Sequence, residues 1–428
     1  MISHVTMPHP HGIKPWGNHY ASNSQQLNTS GLGAFGVFKD ELIVDLLAFV
    51  DIQTLCKLEQ VSKVLLAFCS NECAWRDRYR EDFSDLKYNA AGWKHSYSIR
   101  KGNDKEPSKK IDCSGVYSDY LYASWRCATV PVNLLSRNVE TIERRSNLSV
   151  TDFKKEYSGL GHPVIITDVV QEWDAFSNWS IDTLIEKYSM QTFNAEGANV
   201  SLKDYVQYSR CQMDESPLYL FDNKFAQSGL GNDYSVPEYF FDDLFKILDK
   251  RPDYRWLIIG PERSGSTFHK DPNATSAWNA VIKGKKKWIM YPPSRVPPGV
   301  FTNAEESHVT SPISVAEWFI NHYHADDFDG LECTVSAGEM IFIPAGWWHL
   351  VINLEESIAI TQNFVNKENL AQVLTFLAEK PDQVSGYVGN LLADFTSKLA
   401  ESDIEIPIRE KKKQKVDFSS SKQFQFIF

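Results

Sequence analysis

Three residues with metal-ligating side chains stand at a spacing that suits one ion. His269 and Asp271 are two residues apart, so on a β-strand their side chains would leave the same face. His349 follows 80 residues after the first histidine (349 − 269 = 80). Two imidazoles and one carboxylate form a facial triad, which leaves coordination positions open on iron(II). The alternative is a hydrogen-bonded surface His269 and a satisfied core His349.

Three further polar residues follow these candidate ligands in the chain. Asn279 lies eight residues after the aspartate, Lys286 seventeen after the first histidine, and Thr361 twelve after the second. A lysine ammonium and hydroxyls inside an apolar barrel would suit the far carboxylate of a small dicarboxylic cosubstrate. These companions favour a metal site over the alternative.

The sequence around these residues resembles a known family. The run HKDPNATSAWNAVIKGKKKW, with GPERSGS before it and IFIPAGWWHLVINLEESIAITQNF after it, resembles the JmjC domain of iron(II)- and 2-oxoglutarate-dependent oxygenases, specifically the phosphatidylserine-receptor-like subfamily. The resemblance covers about residues 115–366. It implies a double-stranded β-helix, the jelly-roll or cupin core.

The resemblance also implies a role for each matching residue. The implied iron ligands are His269, Asp271 and His349. Lys286 and Thr361 would bind the distal carboxylate of 2-oxoglutarate, assisted by Tyr219 in the segment ESPLYLFD. The residues implied to line the same pocket are Asn279, Ser266 and Trp288. For each of them the alternative is an ordinary position in the barrel core.

A reaction follows from the same resemblance. The implied cofactor set is Fe(II), the cosubstrate 2-oxoglutarate and O2, which together would give succinate, CO2 and a hydroxylated C–H bond. On an N-methyl group the hydroxylated product would collapse to formaldehyde and a demethylated amine. The implied substrate is a protein, through histone arginine or lysine demethylation or through lysyl or other hydroxylation, and the residues do not rank these reactions.

Many short strands must position these residues. Apolar runs typical of strands begin at Pro163 and become dense between Trp256 and Thr361, where Gly and Pro turns separate them. This pattern indicates an all-β sandwich or barrel. Helical periodicity precedes the strands and returns at about 366–402, where the helices could pack on the barrel or form a dimer contact.

Three short amphipathic helices are predicted near the N-terminus. Apolar residues recur at helical spacing over 42–50 and again over 55–69, and a third helix is expected over 70–79. The segment FKDELIVDLLAFVDIQTLCKLEQVSKVLLAFCSNECAWRDRYREDF resembles an F-box. That resemblance implies docking on the Skp1 adaptor of a cullin ubiquitin ligase (SCF). The implied docking residues are Leu42, Leu46, Leu47, Val50 and Leu55. The alternative is a helical bundle packed on the JmjC domain.

The predicted fold class is therefore α+β, with a double-stranded β-helix core, flanking helices and a small three-helix F-box module before it. The predicted division is an irregular leader (1–35), an F-box-like module (36–85), a linker (86–114), a JmjC domain (115–366), C-terminal helices (367–402) and a charged tail (403–428).

Composition excludes some classes of protein. The 44 basic and 55 acidic residues give a net charge of −11, which disfavours a direct nucleic-acid partner and leaves basic protein tails as the more natural target. Seven cysteines without a CxxC pair are expected to be free thiols in a reducing compartment. We expect no secretory leader and no membrane helix. The expected location is nuclear or cytoplasmic.

Two charged segments carry weaker hypotheses. His322 and His324 stand beside aspartates at 326, 327 and 329, where a solvated acidic loop that selects a basic peptide is expected rather than a second metal site. The run KKKQK at Lys411–Lys415 could be a nuclear localisation signal or a solvated tail.

Two rival functions remain open at this point. One is a ubiquitin-ligase substrate receptor whose cupin barrel recognises targets without turnover. The other is a zinc-loaded cupin. Retention of the triad, Lys286, Asn279 and Thr361 opposes the first, since a binding barrel does not need this set, and Lys286 opposes the second.

Overall fold

The computed structural model describes residues 8–22, 25–103, 111–135, 137–323, 328–402 and 404 of the chain. In that part of the chain no helix is long and apolar enough to cross a membrane. All seven cysteines lie there as free thiols, as their spacing predicted.

The strands of the described residues form two main sheets and one small hairpin. The strands are β1 (Arg144–Arg145), β2 (Val164–Ile166), β3 (Thr192–Ala195), β4 (Ala198–Ser201), β5 (Leu220–Asp222), β6 (Arg255–Gly260), β7 (Gly265–His269), β8 (Ser276–Lys283), β9 (Lys285–Tyr291), β10 (Phe301–Thr302), β11 (Val309–Thr310), β12 (Leu331–Ser336), β13 (Met340–Ile343), β14 (Trp348–Asn353) and β15 (Ser357–Phe364). The larger sheet has the order β1-β2-β13-β8-β15-β6-β5-β3-β4, and the smaller has β12-β9-β14-β7. Apart from the parallel β1–β2 pair, neighbouring strands in both sheets are antiparallel.

The two main sheets pack face to face around an apolar core. Val281 of β8 and Ile341 of β13 come from the larger sheet, and Met290 of β9 and Val351 of β14 come from the smaller one. Because β8 and β15 are covered on both faces, nearly all of their residues are buried, including the polar Asn279 and Gln362. The predicted jelly-roll core with flanking helices is confirmed.

Helices precede the core strands along the chain, lie between some of them, and follow the last one. They are α1 (Gly17–Ala21), α2 (Asn28–Gly31), α3 (Asp40–Ala48), α4 (Ile52–Leu58), α5 (Lys63–Cys69), α6 (Glu72–Asp82), α7 (Trp93–Arg100), α8 (Asp119–Thr129), α9 (Val132–Leu135), α10 (Val150–Phe153), α11 (Asp174–Asn178), α12 (Ile181–Tyr188), α13 (Leu202–Cys211), α14 (Val315–Asn321), α15 (Leu370–Glu379) and α16 (Leu391–Glu401). Short 3-10 turns connect several of them.

The N-terminal helical module differs from the prediction in one respect. The apolar stripe at 55–69, expected as one helix, is divided between α4 and α5. The side chain of Ser62 accepts a hydrogen bond from the backbone N–H of Leu65 and starts a new helix there. Asp51 and Asn71 cap α4 and α6 in the same way. Capping residues therefore divided a continuous apolar pattern into separate helices.

The ranges expected to be leader and linker contain packed structure. In the first, the Asn28 side chain donates to the backbone carbonyl of Tyr117 at 2.6 Å and accepts from its N–H at 3.1 Å. In the second, α7 buries Trp93 and Tyr97 against the core. These two aromatic residues, four apart, give α7 an apolar face that the charged residues after it obscured in the sequence.

The C-terminal helices pack on segment 244–248 and on Val365, the residue that follows β15. Apolar residues of α15 and α16 cluster with Leu244, Phe245, Leu248 and Val365. The expected helices at 367–402 are thus present and have a core of their own, and the basic run at 411–415 lies outside the described residues.

Candidate metal and cosubstrate site

The two candidate histidine ligands face each other across neighbouring strands of the smaller sheet. His269 at the end of β7 is the register partner of His349 on β14, and their ring centroids are 4.1 Å apart. Each Nδ1 lies next to a backbone carbonyl two residues earlier, at 2.8 Å for His269 and 3.1 Å for His349. Because a carbonyl only accepts, Nδ1 carries the proton and Nε2 keeps its lone pair for a metal.

Asp271 supplies a carboxylate beside the two imidazoles. Its Oδ1 accepts a hydrogen bond from Asn363 Nδ2 at 3.2 Å, whereas the buried Oδ2 has no hydrogen-bond partner. Burial raises the pKa of Asp271, and burial followed by the neighbouring His269 lowers the pKa of His349. An orphaned carboxylate oxygen beside two imidazole rings is the donor chemistry that a divalent transition metal requires.

The three side chains do not yet converge on one point. Among the described residues, no group of three or more His, Cys, Asp or Glu side chains is arranged so that it could hold a metal ion as it stands. The donor types and the unpaired Asp271 Oδ2 fit an iron(II) ion, and closing the triad on it requires a side-chain adjustment of His269, Asp271 or His349.

Lys286 lies deep in the same barrel without a charged partner. Its side chain is 1% exposed, and Nζ donates to Tyr219 Oη and to Asn353 Oδ1, both at 2.7 Å. The Asn353 amide is held in this orientation because its Nδ2 donates to Ser264 Oγ at 2.9 Å. Burial lowers the pKa of Lys286 to about 7. A bound anion would compensate the cost of the buried positive charge, so the lysine is suited to bind a carboxylate.

One cavity of about 200 Å³ brings the predicted site residues together. Its lining includes all the predicted residues, namely Tyr219, Ser266, His269, Asp271, Asn279, Lys286, Trp288, His349 and Thr361. The ring of Trp288 stacks on that of His349 at 5.8 Å, and Asn279 Oδ1 is buried without a partner. Thr361 Oγ1 donates to the carbonyl of Trp278 at 2.8 Å, which leaves its oxygen lone pairs available to a further donor.

Two asparagines of this site were missed in the sequence. Asn353 lies four residues after His349 on β14, and Asn363 lies two residues after Thr361 on β15. The period of two along a strand places each on the same face as the predicted residue. That signal was present, but asparagine is too common to be recognised without the contacts.

The acidic segment near His322 gives no second metal site in its described part. Asp329 pairs with Arg295, and the His322 ring lies against Gly299. The residues at 324–327 lie outside the described part of the chain, so the expected basic-peptide selection by this loop stays a prediction.

Comparison with known proteins places this architecture in a family. A model of the cupin-like domain matches residues 150–369. The chain is 41% identical over 386 residues to the arginine-specific demethylase JMJ22 of Arabidopsis thaliana. The aligned region covers 87% of this chain and 76% of that protein.

Two other relatives match a shorter part of the chain. The bifunctional arginine demethylase and lysyl-hydroxylase psr-1 of Caenorhabditis elegans is 38% identical over 244 residues, 53% of this chain and 61% of that protein. The 2-oxoglutarate and iron-dependent oxygenase JMJD4 of Homo sapiens is 33% identical over 267 residues, 54% of this chain and 63% of that protein. The chain thus spans less than two thirds of either. With its jelly-roll core and these matches, the chain belongs to the cupin-like family of JmjC-domain proteins.

Proposed function

We propose that this chain is an Fe(II)- and 2-oxoglutarate-dependent dioxygenase that acts on a protein. The observation that carries the proposal is the fully buried Lys286, which has only neutral partners and shares a cavity with His269, Asp271 and His349. A metal triad and an unpaired buried cation in one cavity suit a cosubstrate that both chelates a metal and carries a second carboxylate.

The residues that would hold iron are His269 and His349 through Nε2 and Asp271 through Oδ2. When bound, iron with 2-oxoglutarate and O2 supplies the oxidation of a substrate C–H bond, with succinate and CO2 as the other products. The backbone carbonyls at Nδ1 fix the tautomer of both imidazoles. The stacked Trp288 restrains the ring of His349.

The other end of the cavity would bind the cosubstrate. Lys286 Nζ and Tyr219 Oη donate hydrogen bonds to its distal carboxylate, and the hydroxyl of Thr361 adds a third donor once it rotates away from the carbonyl of Trp278. Lys286 takes up a proton when the carboxylate arrives, because the attraction between the anion and the ammonium offsets the burial that lowers its pKa. Apolar side chains, among them Ile343 and Val351, line the same cavity.

Two reactions on basic side chains are candidates for the substrate step. Arginine demethylation comes first, because the relative that covers 87% of this chain is named an arginine-specific demethylase. Lysyl hydroxylation comes second, because psr-1 is named as catalysing both. Mass spectrometry of treated histones and other basic protein tails separates them, since demethylation removes a methyl group and hydroxylation adds an oxygen atom.

Turnover of the cosubstrate tests the proposal directly. The full chain, purified without oxygen and supplied with iron(II), should convert 2-oxoglutarate to succinate once O2 is admitted. His269→Ala and Lys286→Ala should lose this activity, and Lys285→Ala, at an exposed neighbouring position, should keep it. Wild-type turnover no higher than that of His269→Ala would overturn the proposal in favour of a non-catalytic receptor.

We further propose that the N-terminal helices couple the enzyme to an SCF ubiquitin ligase through a Skp1-type adaptor. One face of α3 is exposed to solvent. It is formed by Leu42 and Leu46 of the helix and by Phe49, which directly follows the helix and is 90% exposed. Residues at i, i+4 and i+7 share one side of a helix, so these three form an apolar stripe that a partner helix could cover.

The predicted docking set needs one correction. Leu55 is 3% exposed and packs in the core, so it cannot contact an adaptor. Leu47 and Val50 are half-buried against the same core. Substitution of Leu46 and Phe49 by Asp should abolish co-purification with Skp1, whereas Val388→Asp, at an equally exposed apolar site elsewhere, should not. Failure of the wild-type chain to bind Skp1 would leave these helices as a packed bundle.

A nuclear or cytoplasmic location is part of the proposal. It is supported by seven cysteines that are all free, since free thiols persist in reducing compartments. Imaging of the tagged full chain tests this location.

A further inference from the structure

The loop between the two C-terminal helices contacts the turn that carries Asp271. This turn, residues 270–275, links β7 to β8 and contains a short 3-10 segment at Pro272–Ala274. The loop runs from 380 to 390 between α15 and α16, whose apolar sides are anchored on segment 244–248. The contact between turn and loop is made by Asn273 and Ser385.

Asn273 uses both ends of its side-chain amide in this contact. Nδ2 donates to the carbonyl of Ser385 at 2.9 Å, and Oδ1 accepts from the N–H of Ser385 at 3.0 Å. The side chain is buried. Because the amide donates on one side and accepts on the other, it cannot rotate without losing both hydrogen bonds.

The turn held in this way has a strained backbone. Asn273 and Ala274 have φ values of 57° and 52°, in the left-handed region. Asparagine tolerates that region, but for an alanine it costs about 1–2 kcal/mol. Such a conformation persists only where surrounding contacts specify it.

Contacts from β15 hold the opposite side of the same turn. Asn363 Nδ2 donates to Asp271 Oδ1 at 3.2 Å and to Thr275 Oγ1 at 2.8 Å. Thr275 Oγ1 in turn donates to the carbonyl of Pro272 at 2.8 Å. The C-terminal loop is therefore a further support, beside β15, for the position of Asp271.

A surface network ties the same loop to the residue between the two ligands. Lys270 Nζ lies 2.8 Å from both carboxylate oxygens of Glu306, and Lys380 Nζ lies 3.9 Å from one of them. Gln383 Nε2 donates to the carbonyl of Glu305 at 3.3 Å. These ion pairs are only partly buried, with the Lys270 and Glu306 side chains 21% and 29% exposed, and solvent screening limits their strength, so the buried Asn273 contact is the main connection.

We propose that the loop between α15 and α16 is a positioning element for the candidate metal site, with Asn273 as the positioning residue that connects Ser385 to the Asp271 turn. The inference rests on the proposed function, since Asp271 acts as a ligand only if the site binds a metal. It gives the C-terminal helices a role in metal affinity beyond packing.

Metal titration of the full chain tests this proposal. Cobalt(II), added to the metal-free protein without oxygen and followed by visible absorption, reports affinity and ligand geometry without turnover. Asn273→Gly keeps the left-handed backbone accessible and removes both hydrogen bonds. Asn147→Gly is the matched control, because Asn147 is exposed, has a φ of 51° and makes no side-chain hydrogen bond within the described residues.

We expect Asn273→Gly to raise the cobalt(II) Kd by roughly 10- to 100-fold, the range typical of residues that orient ligands, and Asn147→Gly to leave it unchanged. At saturating metal the Kd for 2-oxoglutarate should equal that of the wild type in both variants. A general loss of structure would move both constants.

Hydrogen exchange of the wild-type protein gives a second, independent readout if Asn273→Gly does not fold. If the Asn273–Ser385 contact strengthens metal binding, metal binding must strengthen that contact equally. Cobalt(II) should therefore slow hydrogen exchange of the Ser385 N–H, which donates a hydrogen bond to Asn273. Unchanged exchange, or an Asn273→Gly variant with the wild-type metal Kd, would overturn the positioning role alone. A wild-type chain that binds no cobalt(II) would overturn both this inference and the proposed metal site.

Discussion

Lys286 Nζ lies 2.7 Å from Tyr219 Oη, and the lysine is only 1% exposed. Both partners of the lysine, this hydroxyl and the Asn353 amide oxygen, are neutral. No ion pair involves Lys286 within the described residues. Burial is the sole cause of its lowered pKa, so the site stores an unfavourable charge that a carboxylate ligand can neutralise.

Binding of 2-oxoglutarate should therefore take up a proton. With the Lys286 pKa at about 7 in the unliganded protein, the amine is mostly neutral at pH 8 and becomes charged beside the carboxylate. Calorimetry of the manganese(II)-loaded protein in two buffers of different ionisation enthalpy should show uptake approaching one proton at pH 8. Lys286→Arg should show none, because a guanidinium stays protonated. Equal heats in both buffers for the wild type would contradict the prediction.

The same lysine should make the unliganded protein less stable at neutral pH than in alkali. Its pKa is 10.5 when unfolded and about 7 when folded, so the unfolded chain binds more protons between these values. The free energy of unfolding should rise with pH through that window. Lys286→Met should remove this rise and be more stable at pH 7, by on the order of a few kcal/mol.

Denaturant titrations at pH 7 and pH 9 measure this difference. Lys285→Met, which removes a half-exposed lysine from the same strand, is the matched control and should keep the wild-type pH dependence. A parallel pH dependence in Lys286→Met and the wild type would show that the buried amine is not responsible.

The sequence could single out the candidate ligands and Lys286 because their side-chain chemistry is rare and most of them lie close together along the chain. His269 and Asp271 lie two apart along the chain, and Lys286 follows seventeen residues after His269, near the start of β9. The supporting residues were not predictable in this way. Asn273 and Ser385 are separated by 112 residues, and asparagine and serine have too many ordinary uses for either to stand out.

The N-terminal module shows the same limit for helices. The apolar period over 55–69 marked residues that α4 and α5 carry, but it showed neither the break between these helices nor which leucine of the module faces the core. Leu55 is buried whereas Leu46 is exposed, because α6, α7 and the barrel pack on one side only. Tertiary packing determines which of the predicted docking residues remain on the surface, and the periodicity of a sequence carries no information about that packing.

Substitutions at two neighbouring positions of β15 should separate metal binding from cosubstrate binding. Asn363→Ala removes the donor to Asp271 Oδ1 and should weaken cobalt(II) binding by roughly 10-fold or more. Thr361→Val removes a hydroxyl from the cosubstrate end of the cavity and should raise the KM for 2-oxoglutarate without changing the metal Kd. Each variant is the control for the other, and identical effects of the two would contradict the assigned roles.

Gly265 should be essential for the close approach of the two strands that carry the histidines. It pairs with Ile352 of β14 at the opposite end of β7 from His269, and a Cβ there would collide with the backbone carbonyl of Val351. A backbone atom cannot move aside as a side chain can, so Gly265→Ala should separate β7 from β14 and destabilise the protein by about 1–3 kcal/mol or more. Because the separation displaces His269 from His349, cobalt(II) affinity should fall as well.

Gly17→Ala is the control for this prediction. No atom lies within 4 Å of the added Cβ there, so this variant should change neither the melting temperature nor the metal Kd. Wild-type values for both measurements in Gly265→Ala would show that the two strands tolerate a wider spacing.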